Sequence, residues 1–548
     1  NLLDLNKNDN REMPKKLTSL ISQESLKRFS QKAIDYLFQI QHKDGSLDEH
    51  YYNERSVVAT AFPVVSALKS EVIFCSELNN MPKDDGRKSH YKKALERLKV
   101  NPEHTKIANH QAGMCLAFVL AYKMFGEKKY WNSFEESLKT VFSLQTEEGW
   151  FEEYGGFDPG YLTLTVDFMA QIVYVLMQIK EKKLSRSNLI RSLQSSIIRV
   201  LDFIRSIYDP SDQEAFPGGN IGTRNNNHVF LSGFCYIYKF NLLDPFPKNH
   251  KRTFASNKES NNNYENSLYY DYIYQFSSQQ IISLVSNSPN REFVDDDKFL
   301  HFQLNDFLPH WQLLSEILSQ NEFPYQKVNK HHTDFLEFDL QHHPGAKLIV
   351  IKTNQNRLLI DYQRGSNYAH WIFGINDSEF HDSGLLIELK DGTKFHSSQL
   401  INMESEYSGK VHKTGRLLKI SGNLSKYYRR TLTPFKQILL NLAGVTILKI
   451  RFLNRWIKNH LIKKIVNKKT TIKGNKIKYS RVYYLSREKE LDSVIEIEDT
   501  ITWSMSFGEN IKCISRINGL NSFFVPSGQY YAKDREMSLL PIKNWRNR

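Results

Sequence analysis

The spacing of apolar residues changes once along this chain, and that change divides it. Up to about residue 320 apolar side chains recur every three or four positions; after Pro324 they alternate with polar ones. Three-four spacing places one apolar stripe on a helix, whereas alternation places one apolar face on a strand. Helices followed by strands predict an α+β multidomain protein. At 548 residues the chain is too long for one ordinary core, and two or three domains are expected. The boundaries read as a tail at 1–16, a helical domain at 17–325 and an antiparallel β domain at 333–548.

In the helical part, SLKRFSQKAIDYLFQIQ carries Leu26, Phe29, Ala33, Leu37 and Ile40 on one predicted face. TAFPVVSALKSEVIFCSEL, HQAGMCLAFVLAYKMFG, WNSFEESLKTVFSLQ, LTLTVDFMAQIVYVLMQIK and NLIRSLQSSIIRVLDFIRSIY repeat the pattern. Two of these helices end alike, in Gln41-His-Lys-Asp-Gly45 and Gln145-Thr-Glu-Glu-Gly149. A turn recurring at this distance predicts an array of helical hairpins that closes on itself. In the β part, FLEFDL, KLIVIKT, RLLIDYQ, GLLIELKDGTKF, RLLKISG and SVIEIEDTITWSMSF alternate, with turn residues between them.

Charge is as unevenly distributed as hydropathy. The net charge is +14, yet Tyr407–Arg487 holds 21 Lys and Arg with no Asp or Glu, and the remainder is mildly acidic. Within that segment, 433–470 interleaves apolar and basic residues, which predicts one or two basic amphipathic helices inserted between strands. Its apolar content suits the surface of an anionic membrane better than nucleic acid, so no nucleic-acid partner is expected. No run of about 18 uncharged apolar residues predicts a spanning helix. Four separated Cys encode neither a disulfide framework nor a thiolate zinc site. No His and carboxylate set has metal-ligand spacing, so no metal or cofactor is expected. NLLDLNKNDNREMPKK shows no apolar signal core and no initiator Met. The expected location is the cytoplasm, at the inner membrane face, or the periplasm if a preceding segment held a signal peptide.

Four loops concentrate chemistry. Gly149–Tyr161, GWFEEYGGFDPGY, brings Glu153, Asp158 and Tyr161 to a helix start on a path constrained by Gly and Pro. Asn109 and His110 open a long apolar helix, where Asn109 also reads as an N-cap. In GGNIGTRNNNH (218–228), backbone amides at Gly with Arg224 suit an anion such as a carboxylate. The loop 44–56 offers Glu54 and Arg55, which read most simply as a local ion pair. In the β domain, His381 next to Asp382 is a candidate base oriented by a carboxylate.

Taken together, DGSLDEHYYNERSVVATAF, NHQAG, GWFEEYGGFDPGYLTLTVDF and GGNIGTRNNNH, followed by a β domain, resemble the heparinase II/III-like polysaccharide lyase superfamily over most of residues 20–400. The resemblance implies an incomplete (α/α) toroid joined to an antiparallel β-sandwich, with 433–470 as an addition to the usual secreted lyase. It also implies β-elimination on a uronic-acid polysaccharide. Asn109 and His110 would neutralise the substrate carboxylate and Tyr161 would be the acid/base. Arg224 would lower the Tyr161 pKa, and His228 would be a second base or a substrate contact. Asn225, Glu153, Asp158, Glu54, Arg55 and His381 would line the substrate. The family's His-x-His-x-Asp element has only His381-Asp382-x-Gly384 as its nearest counterpart here. Two alternatives share the residues: a uronyl C5-epimerase, and a non-catalytic glycan-binding protein of bacterial capsule or O-antigen assembly.

Overall fold

The computed structural model describes residues 23–49, 51–78, 86–99, 107–153, 155–179, 184–208, 222, 230–243, 269–270, 272–273, 275–277, 338–353, 356–363, 368–373, 378–382, 384–408, 414–426, 434–450, 452–454, 456, 477–488, 492–503, 508–518 and 538–541. The expected tail, the low-complexity stretch 256–267, nearly all of the expected helical segment 269–320, and Arg224, Asn225 and His228 lie outside these residues.

The described residues before the first strand include the helices α1 (Gln23–Ile40), α2 (Val57–Leu78), α3 (Arg87–Lys99), α4 (Ala108–Phe125), α5 (Lys128–Ser143), α6 (Pro159–Gln178), α7 (Leu184–Ile207) and α8 (Ser232–Phe240), with further helical residues at 269–270, 272–273 and 275–277. The even-numbered helices α2, α4, α6 and α8 are successive neighbours, while α1, α3, α5 and α7 pack against them as hairpin partners. This alternation follows from composition. Helices α4 and α6 are apolar nearly all round and buried nearly all round, as a helix must be when covered on every side. By length and hydropathy α6 could cross a membrane, but 83% of its apolar window is covered by this core.

Helix α3 has no apolar run and is legible only from four residues, Tyr91, Ala94, Leu95 and Leu98, which are the ones buried. The predicted apolar face of α1 is a correction. Phe29 and Ile40 are exposed, and Ile34 and Phe38 are buried instead. Phe38 stacks on His90 at 4.8 Å and meets the edge of Tyr91 at 4.9 Å, so helix α3 selects the face.

The two recurring Gln turns do identical work. Gln41 Nε2 donates to Gly45 O at 3.0 Å and to His90 O at 3.2 Å; Gln145 Nε2 donates to Gly149 O at 2.8 Å and to Ser196 O at 2.9 Å. Each glutamine closes its own turn and ties it to the outer helix of the next hairpin. Gly45 (φ 88°) and Gly149 (φ 100°) have left-handed backbones. A Cβ on them would lie 2.2 Å from Lys93 C and 2.4 Å from Arg199 O, so only glycine fits both the angle and the space.

The strands form two antiparallel sheets. One has five strands in chain order, β1 (Phe338–His343), β2 (Leu348–Thr353), β3 (Asn356–Asp361), β4 (Tyr368–Phe373) and β5 (Ser378–Asp382). The other has seven in the order β10-β9-β8-β7-β6-β11-β12, built from β6 (Leu385–Leu389), β7 (Lys394–Tyr407), β8 (Thr414–Lys426), β9 (Lys478–Glu488), β10 (Asp492–Thr502), β11 (Ile511–Asn518) and β12 (Ser538–Pro541). Strands β2 and β3 are buried on both faces. Leu348, Val350 and Leu359 join the helical core, while Ile349, Ile351, Leu358 and Ile360 join a second core with the seven-stranded sheet. Period-two alternation thus makes the first sheet a shared layer between helices and second sheet. Polar bonds lock it to the helices: Glu148 accepts from Gly345 N at 2.7 Å and Ala346 N at 3.0 Å, and Gln363 Nε2 donates to Phe157 O at 3.2 Å.

The basic insert connects the antiparallel neighbours β8 and β9. It contains helix α9 (Pro434–Val445), a 3-10 turn at Ile447–Lys449 and a helical turn at 452–454.

Candidate functional site

The first turns of α4 and α6 meet at one carboxyl group. The residue preceding α4 is Ile107, whose side chain provides no cap. Asn109 is therefore not the N-cap that sequence allows; it lies in the first turn. The open backbone donor is satisfied from a distance: Glu153 Oε1 accepts from Asn109 N at 2.8 Å, and Glu153 Oε2 accepts from Asn109 Nδ2 at 2.8 Å. Thr165, in the second turn of α6, donates its hydroxyl to Glu153 Oε1 at 3.1 Å. A carboxyl at a helix N-terminus is also favoured by the helix dipole. Glu153 is fully buried. Burial pushes its carboxyl well above the ordinary range; the Asn109 backbone bond opposes this, and the nearby Asp158 charge adds to it.

Asp158 caps α6 conventionally, accepting from Tyr161 N at 3.1 Å, with Pro159 in the first turn. Tyr161 thus stands one turn inside α6, its ring partly buried against the helical core. His110, beside Asn109, is buried and meets the ring of Phe62 edge-on at 6.3 Å. Gly222 approaches the same cap: a Cβ there would lie 2.9 Å from Asp158 Cα. Its N–H donates to Asp361 Oδ2 at 2.9 Å, so the end of β3 reaches the site as well. Asn109, His110, Glu153, Asp158 and Tyr161 are accordingly gathered around the starts of α4 and α6. Arg224, Asn225 and His228 lie outside the described residues.

Sequence reading missed Thr165 and Asp361. Both are buried polar residues amid apolar neighbours, on a helix and at a strand end, and only that burial signals them.

Glu54 and Arg55 do not form the expected local pair. Arg55 Nη1 binds Asp44 at 2.7 Å, and Glu54 accepts from Glu49 N at 3.0 Å. Asp48 organises the loop, accepting from Asn53 N and Arg55 N, each at 2.8 Å. Asn53 (φ 65°) and Arg55 (φ 57°) are left-handed, a strain that these bonds hold.

Of the expected His381–Asp382 pair, the Asp382 side chain is engaged elsewhere. It is fully buried, accepts from Gly384 N at 2.7 Å, and pairs with Arg481 Nη1 at 3.1 Å. His381 lies in β5 opposite His370 of β4.

Among the described residues, no group of three or more His, Cys, Asp or Glu could hold a metal ion. Glu153→Ala is expected to cost about 3 kcal/mol, because it leaves buried donors of Asn109 and Thr165 unmet. Glu153→Gln should recover part of this, since its carbonyl still accepts from the α4 terminus. Urea unfolding of both variants measures the difference; a cost equal for both would show that the second carboxyl oxygen as an acceptor, not side-chain volume, matters.

No family model, no curated protein and no solved structure matches this chain.

Proposed function

We propose that this chain cleaves a uronic-acid polysaccharide by β-elimination at the joint start of α4 and α6. The observation that carries the reading is the Glu153 carboxyl, which fixes Asn109 of α4 against the loop that ends in Tyr161. On this reading the helices are part of an incomplete (α/α) toroid and the sheets a β-sandwich, as the resemblance to heparinase II/III-like lyases implies.

The chemistry asks for donors where negative charge develops. Abstraction of the C5 proton makes the uronate an enolate-like dianion. One Asn109 Nδ2 proton is held by Glu153 and the other is left to bind the uronate, with His110 as a second donor. Glu153, pushed toward its neutral form by burial, does not repel the incoming carboxylate. Tyr161 takes the C5 proton and returns a proton to the departing 4-oxygen. The C4–O bond breaks as the C4–C5 double bond forms. Arg224 and His228 supply positive charge and a further hydrogen bond, and Asn225, Asp158, Glu54, Arg55 and His381 contribute contacts or loop shape. No cofactor is needed for these steps.

The test is incubation with a panel of uronate polysaccharides. Elimination gives an unsaturated product with new ultraviolet absorbance. Solvent deuterium at C5 without cleavage would assign C5-epimerisation. Saturable binding with neither product would assign a glycan-binding role.

A further inference from the structure

We infer that helix α9 and the turn running to Trp456 form an in-plane anchor for an anionic lipid bilayer, fastened to the helical domain through Tyr52 and Asn53. The inference stands on the insert alone and does not require the lyase reading.

The orientation of α9 is the reverse of an ordinary surface helix. Phe435, Ile438, Leu439 and Leu442 recur at three-four spacing, yet all four are exposed, Phe435 by 67% and Leu442 by 56%. Beyond the helix, Phe452 and Trp456 are exposed by 71% and 66%. The segment meets the rest of the protein through Gly444 and, beyond the helix, Asn454. A Cβ on Gly444 would lie 2.4 Å from Tyr52 O, so the backbones touch. Asn53 Nδ2 donates to Gly444 O at 2.9 Å, and Asn454 Nδ2 donates to Asn53 O. Leu448 and Asn454 are buried there. Polar bonds therefore hold the helix down while its apolar stripe faces outward, which is costly in water and favourable at an acyl boundary.

Charge selects the occupant. The stretch Tyr407–Arg487 that contains α9 carries 21 Lys and Arg and no acid, so it is complementary in charge to anionic headgroups. A second copy would bring like charge against like charge across a two-fold interface. Nucleic acid would be met by stacking rings, but the helix itself presents Ile438, Leu439 and Leu442, which have no role with bases. The Tyr52–Asn53 contact belongs to the 44–56 loop, so a bound membrane fixes the orientation of the whole helical domain.

Flotation with vesicles of phosphatidylcholine alone or mixed with phosphatidylglycerol tests this on the full chain. The protein is expected to float with the anionic vesicles and to dissociate as salt rises. Leu442→Glu combined with Phe452→Glu should weaken partition at least about a hundredfold, with circular dichroism and melting unchanged because both side chains are exposed. Phe29→Glu, which changes an exposed aromatic of α1 outside the insert, is the control and should bind vesicles normally. Absence of binding to anionic vesicles would overturn the inference, as would equal binding by the double Glu variant. So would self-association or RNA binding that the double Glu variant abolishes while vesicle binding persists.

Discussion

On the proposed lyase reading, replacing Tyr161 with Phe is expected to lower turnover of a uronate polysaccharide by about a hundred- to ten-thousand-fold. The change removes one oxygen and little else. The ring packs partly buried against the helical core, and the Tyr161 backbone N–H, not the hydroxyl, donates to Asp158. Phe keeps both features, so the melting temperature should stay within a few degrees. Loss in kcat with KM preserved would mark a proton-transfer role. A fully active Tyr161→Phe enzyme would remove Tyr161 from the chemistry, and the site would need another base.

The second large effect concerns the β domain. Arg481 is completely buried in β9, where it binds Asp499 of β10 through Nε at 2.7 Å and Nη2 at 2.8 Å and Asp382 of β5 through Nη1 at 3.1 Å. It therefore ties the last strand of one sheet to the other sheet. Arg481→Met should cost about 3–5 kcal/mol, because two buried carboxylates then keep only the partly exposed Arg516, 3.5 Å from Asp382 and 3.7 Å from Asp499, as counter-ion. Combining it with Asp382→Asn and Asp499→Asn should recover much of that loss, since the charges leave together. Equilibrium denaturation of the two variants tests this; a single variant losing less than about 1 kcal/mol would show the cluster to be dispensable.

The same cluster has a pH signature. Burial raises the Asp499 carboxyl, but the Arg481 charge and its hydrogen bond outweigh burial and leave it below its ordinary value. Its folded value thus lies below the unfolded one near ~3.9. The stabilisation is complete above that value and is lost as pH falls through the folded one. His396 acts at milder acidity. Burial holds its imidazole down at about 4. Its contribution is present above the unfolded value near ~6.5 and disappears as pH falls toward the folded one. Acid titration of stability should show both losses, and His396→Gln should remove the milder one.

The two periods were readable without coordinates, because a helix and a strand are local objects whose side-chain spacing is set by backbone geometry. So was the repeated Gln-to-Gly turn, whose glycines answer a backbone requirement within five residues. The first turns of α4 and α6 were also legible as a gathering of polar residues, since a Gly- and Pro-bound path crowded with carboxylates and Tyr precedes an apolar helix. What escaped reading depends on partners far away in the chain. Glu153 is 44 residues from Asn109, and nothing local says that it caps a helix other than its own. Asp382 looks like the companion of His381 until Arg481, 99 residues on, claims it. The buried face of α1 was chosen by α3, because two stripes of similar hydropathy were available and only packing decides between them. The outward apolar stripe of α9 is the clearest case. Sequence determined that 433–470 is basic and amphipathic, but which side faces the protein was decided by Gly444 and Asn454 meeting a loop 391 and 401 residues away. Spacing along a chain specifies which residues share a face; only the tertiary structure specifies what that face meets.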